Sequence, residues 1–240
     1  MKSQHKEISK TAVSTTYNKL YESPGRLRDS DALYRWTLER LNVQSGTRLL
    51  DVASGEGVLT RLAQEKGLHS VGIDISMQAT RIARQQEIGN NVVVGDGESV
   101  PFEDESFDYV TNMGSLEHFM DPAKGVREMK RLLKSGGRAA ILLPNSYYLA
   151  DIIWHVWRRG YSVSHNQPIE RFATYGEWKD LLEENGLLVK RGYKYNFRFP
   201  RTRDDWNWYF EHKRKLLYLA VAPMMPFNLS YSFLYICSRT

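Results

Sequence analysis

Residues 48–57 read RLLDVASGEG, and this stretch decides the fold. A short apolar run, RLLDVA from Arg48 to Ala53, closes on a turn holding Gly55 and Gly57. Continuous apolar character followed by glycine predicts a buried strand rather than one alternating between core and solvent. Glycine lets the backbone bend sharply and approach a ligand with no Cβ in the way. Asp51 ends the run, so a carboxylate stands where open α/β sheets bind ligands, beyond the strand carboxyl ends.

The same pattern repeats downstream. Helical spacing follows from Val58 to Lys66, with Gly67 as its stop. Strands are expected at Ser70–Ile75, Asn91–Gly95, Phe107–Met113 and Arg138–Leu143. Ser76 can cap a helix running to Glu87, and Asp121-Pro122 is a cap followed by proline at the first helical position. That helix should reach about Leu133, where Gly136-Gly137 stops it. Thr174 and Glu177 form a capping box for another helix. A sixth strand (LLVKRGYKY), a helix from Asp204 to about Ala222 and a final strand from Ser230 to Cys237 complete the chain. Strands alternating with helices predict a doubly wound parallel sheet. Upstream, Leu33, Trp36, Leu38 and Leu41 give one apolar helical face.

Two further acidic strand ends join Asp51. Asp74 lies in VGIDIS (71–76), and a carboxylate there can accept two hydrogen bonds from a vicinal diol. It could equally be a helix N-terminal charge worth about 0.3–1 kcal/mol. Asp96 opens GDGESVPFEDESFDYV (95–110) and can accept from an exocyclic amine, or simply shape the turn before Gly97. An NAD-linked site fits less well, because Thr60 and Arg61 occupy the places where the third glycine of a GxGxxG turn could fall.

In order and spacing, LLDVASGEG, VGIDIS, GDGESVPFEDESFDYV and REMKRLLKSGGRAAILLPN (127–145) resemble the class I S-adenosylmethionine-dependent methyltransferases, in the small-molecule, type 11-like subgroup. The resemblance is strong over residues 45–145 and loose elsewhere. It implies a Rossmann-like, seven-stranded, mostly parallel sheet with an antiparallel last strand and a helical, aromatic cap. The cofactor implied is S-adenosyl-L-methionine, with S-adenosyl-L-homocysteine as product. By the same resemblance Asp51 sits by the methionine ammonium, and Ala53, Gly55 and Gly57 line the turn beneath it. Asp74 grips the ribose with Ile75 against adenine, and Asp96 reads the adenine amine beside Gly97 and Glu98. Asn112, Met113 and Gly114 face the methyl donor. Ala53 stands where the family usually has glycine, and Ser135 where it often has proline.

A single methyltransferase domain is expected over 1–240. It comprises an N-terminal helical lid (1–44), a cofactor-binding core (45–144) and acceptor-side inserts at 145–173 and 196–228. Methyl transfer to oxygen or nitrogen can require a base. His118 in SLEHF is the first candidate by position and His165 the second; each has a plain packing or surface alternative, and His155 between two tryptophans reads as core. Acceptor contacts are expected from Tyr17, Tyr21, Tyr147, Trp154, Arg171 and Arg198. Five of the six tryptophans lie beyond residue 150, which suits an apolar or cyclic acceptor, or packs the cap onto the sheet.

The net charge of +5 is unevenly placed. Residues 190–215 hold nine basic and three acidic residues, a balance of +6, and the remaining 24 basic and 25 acidic residues sum to −1. That segment can meet an anionic acceptor, meet a membrane surface together with LLYLAVAPMMPF (216–227), or be a solvated rim. The partners expected are a small-molecule acceptor, anionic or lipid-like, and a peripheral membrane contact. DNA is not expected and RNA is disfavoured, with no RNA-binding module in view. The single Cys237 excludes an intramolecular disulfide framework and thiolate metal clusters, and no metal site is expected. The first twenty residues lack an apolar core, and residues 216–227 fall well short of the roughly 20 that span a bilayer, so a cytoplasmic address is expected. Methylation of RNA or protein, and cofactor binding without catalysis, are the alternatives.

Overall fold

A computed structural model describes residues 9–23, 25, 27–85, 91–164 and 167–240. Two helices, α1 (Lys10–Leu20) and α2 (Asp31–Leu41), precede the sheet. Then come β1 (Arg48–Val52), α3 (Val58–Glu65), β2 (His69–Asp74), α4 (Met77–Gln85), β3 (Val92–Val94) and β4 (Phe107–Met113). After a 3-10 turn (Leu116–His118) follow α5 (Pro122–Leu132) and β5 (Leu133–Pro144). A short α6 (Leu149–Asp151) runs into a π-helical segment (Ile152–Trp157). The rest is α7 (Tyr175–Glu184), β6 (Leu187–Tyr195), α8 (Arg203–Glu211), α9 (Lys213–Val221) and β7 (Ser232–Arg239).

The seven strands form one sheet in the order β3-β2-β1-β4-β5-β7-β6. All neighbours pair parallel except those of β7, which runs antiparallel to both β5 and β6. The chain works outward from β1 to β3 and then crosses to β4 on the other side of β1. This is the topological switch point, where the carboxyl ends leave a crevice. Both sheet faces are covered. Val126, Met129 and Leu132 of α5 with Trp178 and Leu182 of α7 pack one face, and Leu33, Trp36 and Leu38 of α2 with Leu59 and Leu62 of α3 pack the other. Double coverage explains the uninterrupted apolar strands.

The helix boundaries follow their capping chemistry. Asp121 accepts from the Lys124 N–H, and Thr174 and Glu177 complete their reciprocal box. Two elements differ from the sequence expectation. β5 begins at Leu133, which pairs with Phe107, and Gly136-Gly137 lie in a register shift before Arg138 pairs with Tyr109. The glycines bend a strand instead of separating it from the helix. The helix expected from Asp204 to Ala222 breaks at His212, whose φ of −113° and ψ of 55° are not helical. Cys237 is buried in β7, where burial pushes its thiol up. Among the described residues no helix is long and apolar enough to cross a membrane.

Candidate functional site

The three acidic strand ends converge on one cavity of about 170 Å³ over the β1/β4 switch point. Asp51 at the end of β1 is buried and accepts from the Thr111 hydroxyl at 2.6 Å. Burial pushes its carboxyl up to about 7; the Thr111 hydrogen bond opposes this and nearby Asp74 adds to it. Asp74 at the end of β2 accepts from the Gly55 N–H and the Ser76 N–H, each at 2.8 Å. Burial pushes it up to about 6 against those two hydrogen bonds. Asp74 is therefore a clasp between the glycine turn and the start of α4. A carboxylate has about four acceptor sites, so two remain for a ligand diol.

The turn itself is strained in a legible way. Ala53 has φ 59°, Gly55 54° and Gly57 74°. The left-handed region costs an L-residue about 1–2 kcal/mol. This is why glycine is favoured at position 53, and Ala53 bears the strain. A Cβ at Gly55 would lie 2.7 Å from the Tyr21 hydroxyl, so the bare backbone there lets the lid tyrosine close over the turn.

α1 forms that lid. Lys10 pairs with Asp96 and lies 3.3 Å from Glu98. Ser14 donates to the Ile75 carbonyl, and Asn18 accepts from the Ser76 hydroxyl and the Gln78 N–H. Tyr17 donates to Gln167 at 2.9 Å, joining the lid to the segment before α7. Glu98 also accepts from the Met120 and Asp121 N–H groups, so it holds the loop after β4 as well as the lid.

Asp51, Ala53, Gly55, Asp74, Ile75 and Asp96 line this cavity, and so do Gly97, Glu98 and Met113 with Tyr17, Tyr21 and His118. Gly57 caps α3 just behind it. Asn112 is buried behind the wall, donating to the Val52 carbonyl and accepting from the Leu116 N–H, so it splices β1 to the turn after β4. Arg171 reaches an adjoining cavity, but its guanidinium donates to the backbone carbonyls of Glu117, Phe119 and Met120. Tyr147 and Trp154 are exposed and line neither cavity. Arg198 lies over the Trp36 ring. His165 falls outside the described residues. His118 donates from Nδ1 to the Ile169 carbonyl, which makes Nε2 the accepting nitrogen of the neutral ring.

Sequence reasoning did not single out Lys10, Asp29, Tyr34, Glu117 or Tyr231. Glu117, between Leu116 and His118, and Asp29, between Arg28 and Ser30, give an ordinary signal until burial is known. Much of the basic segment is spent internally. Lys194 donates to the Pro223 and Met225 carbonyls, Arg201 pairs with Glu39, and Lys215 lies over the Phe197 and Trp208 rings.

Residues 50–141, which carry the three carboxylates and the glycine turn, match the family model described as a methyltransferase domain. That stretch is similar to a methyltransferase domain. Among curated relatives, the demethylmenaquinone methyltransferases of Corynebacterium kroppenstedtii and Corynebacterium urealyticum are each 37% identical over 112 residues, covering 46% of this chain and 48% of theirs. The chain thus spans about half the length of the curated relatives it matches. Solved structures extend the likeness in fold. The [4+2]-cyclase SpnF superposes with TM-score 0.66 at 20% identity, covering 97% of both chains. Geranyl diphosphate C-methyltransferase from Streptomyces coelicolor, solved with S-adenosyl-L-homocysteine, gives 0.61 at 16% identity, covering 87% of this chain and 79% of that one. One of these neighbours is named for a cyclisation and the other for a methyl transfer, so this chain's chemistry has to be argued from its own site.

Proposed function

We propose that this protein transfers a methyl group from S-adenosyl-L-methionine to a small, lipid-like acceptor. The observation that carries this is the convergence of Asp51, Asp74 and Asp96 on one cavity beneath α1. The residues fit the cofactor's donor set. An ammonium, a vicinal diol and an exocyclic amine all need acceptors, and the three carboxylates supply them. Burial holds Asp51 and Asp74 above the ordinary carboxylate range, and a cationic ligand beside them restores a charge pair. Gly55 leaves the bare backbone such a ligand needs under Tyr21.

When bound, S-adenosyl-L-methionine supplies a methyl group on a positively charged sulfur and is left as a neutral thioether. The chain's own contribution is placement. Asp74 and the glycine turn would hold the ribose end, Ile75 would pack the adenine, and Met113 and Gly114 would form the wall toward the acceptor. Holding two reactants in line is worth roughly 7–11 kcal/mol of barrier. Tyr17 and Tyr21 close the site to water. His118, at the junction of the two cavities, is a proposed proton acceptor. The lipid-like acceptor is supported by the printed name of the half-matched relatives and by the apolar part of the adjoining cavity's lining, Leu33, Leu142, Leu143 and Pro144.

Calorimetry with S-adenosyl-L-homocysteine tests the cofactor. Wild type should bind, and Asp74→Ala should weaken binding at least about tenfold, one charge-assisted contact being worth about 1.5–3 kcal/mol. Absence of binding by wild type at millimolar ligand would refute the proposal.

A further inference from the structure

One side of α1 roofs the cofactor cleft. Lys10, Val13, Tyr17 and Tyr21 line the cavity, at the three- and four-residue spacings that share one face of a helix. Two of these side chains stand where the cofactor's own groups would bind. Lys10 pairs with Asp96 Oδ2, and the Glu98 N–H donates to Asp96 Oδ1 at 2.9 Å. Both oxygens of the carboxylate proposed for the adenine amine are thus engaged by the chain itself. The Lys10 ammonium also lies 3.3 Å from Glu98, whose side chain is 7% exposed. At the other end of the helix, the Tyr21 hydroxyl lies 2.7 Å from the place a Cβ would take on Gly55. It covers the turn proposed for the ribose and methionine end.

The other ties of α1 to the body are of a kind that water can replace. Of the residues of α1, only Val13 is buried. The remaining contacts are polar: Ser14 to the Ile75 carbonyl at 3.0 Å, Asn18 to the Ser76 hydroxyl at 2.8 Å and the Gln78 N–H at 3.2 Å, and Tyr17 to Gln167 at 2.9 Å. An element with few buried apolar contacts opens at low cost. The Lys10 side chain is 45% exposed, and ion pairs so exposed are weak ties. A ligand donor can take the place of such a lysine on its carboxylate.

We propose that α1 is a displaceable latch: Lys10 holds Asp96 in the empty cleft, and the cofactor binds by exchanging the Lys10–Asp96 pair for its own adenine amine. The proposal rests on the cofactor reading above, in which Asp96 accepts from adenine, and adds that latch and ligand compete for one carboxylate. A protein held partly in a form that cannot bind shows an affinity reduced by that fraction. Loosening the latch therefore strengthens cofactor binding. A lysine that instead clamped the bound cofactor would have the opposite effect, because its removal would weaken binding. Salt distinguishes the latch from the buried contacts, since an exposed pair is screened far more than Asp51 or Asp74.

The test is calorimetry with S-adenosyl-L-homocysteine on the full chain, comparing wild type with Lys10→Gln in about 20 mM and about 1 M sodium chloride. At low salt Lys10→Gln should bind about threefold to fivefold more tightly, the upper range for an exposed ion pair. At high salt, where the Debye length is about 3 Å, the advantage should shrink below about twofold. Salt effects on the remaining contacts are shared by both proteins and cancel in the ratio. Lys10→Arg keeps the charge and should bind as wild type does. Lys10→Met is a second neutral form that should match Lys10→Gln, and it replaces that variant if glutamine prevents folding. Equal or weaker binding by the neutral variants at low salt, an advantage that persists undiminished at high salt, or the same gain in Lys10→Arg overturns the proposal. Failure of wild type to bind at either salt would instead sink the cofactor reading.

Discussion

Glu117→Gln should flatten the pH dependence of stability, with no ligand present. Burial pushes Glu117 up to about 8, against about 4.3 in an unfolded chain. Between those values the folded chain keeps a proton that the unfolded chain has released. Stability from this group is therefore complete below about pH 4 and is lost as pH rises through about 8. Integrated from pH 5.5 to 7.5, the loss is on the order of 2–3 kcal/mol from Glu117 alone. Asp51 and Asp74 are also raised, to about 7 and about 6, and add losses of the same sign. Those losses occur in both proteins and cancel in the comparison. Urea unfolding followed by tryptophan fluorescence at the two pH values gives the four free energies needed. Wild type should lose roughly 2–3 kcal/mol more than the variant over this range. A variant that loses stability as steeply as wild type would show that Glu117 titrates normally, and the burial argument would be wrong.

Two other outcomes are expected. Ala53→Gly should raise stability by about 0.5–1 kcal/mol, the left-handed strain relieved less the extra freedom of glycine in the unfolded chain; an unchanged or lowered urea midpoint would count against strain at φ 59°. Trp154 and Trp157, 49% and 81% exposed on the π-helical segment and followed by Arg158 and Arg159, should hold the protein to anionic vesicles. Replacing both tryptophans by serine should remove flotation with such liposomes, and undiminished flotation would exclude this surface.

Local signals were sufficient where the chemistry is local. The strand–glycine turn at 48–57, the cap at Asp121 and the box at Thr174–Glu177 lie where the sequence puts them. Each depends on residues within one turn of one another. The expectation faltered where a distant partner decides. Leu133 looks like a helix end, but it pairs with Phe107 and begins a strand. His212 breaks a stretch of apparently continuous helical spacing, and there its Nδ1 lies 2.8 Å from the Trp208 carbonyl while its ring stacks on Trp208.

The same division runs through the site. Asp51, Asp74 and Asp96 could be read from the sequence because strand ends share one edge of a parallel sheet whatever the details of packing. Glu117 could not. In the sequence it is an acidic residue beside a histidine. Its meaning comes from its burial beside a cavity that it lines together with Leu33 of α2, Leu142 and Leu143 of β5, Phe172 and Tyr231, from segments far apart in the chain. The sequence by itself determined the succession of strands along the chain and the carboxylates that end them, because periodicity and turn chemistry act over a few residues. Only the tertiary structure decided which carboxyl loses its water, because desolvation is set by everything packed around a group.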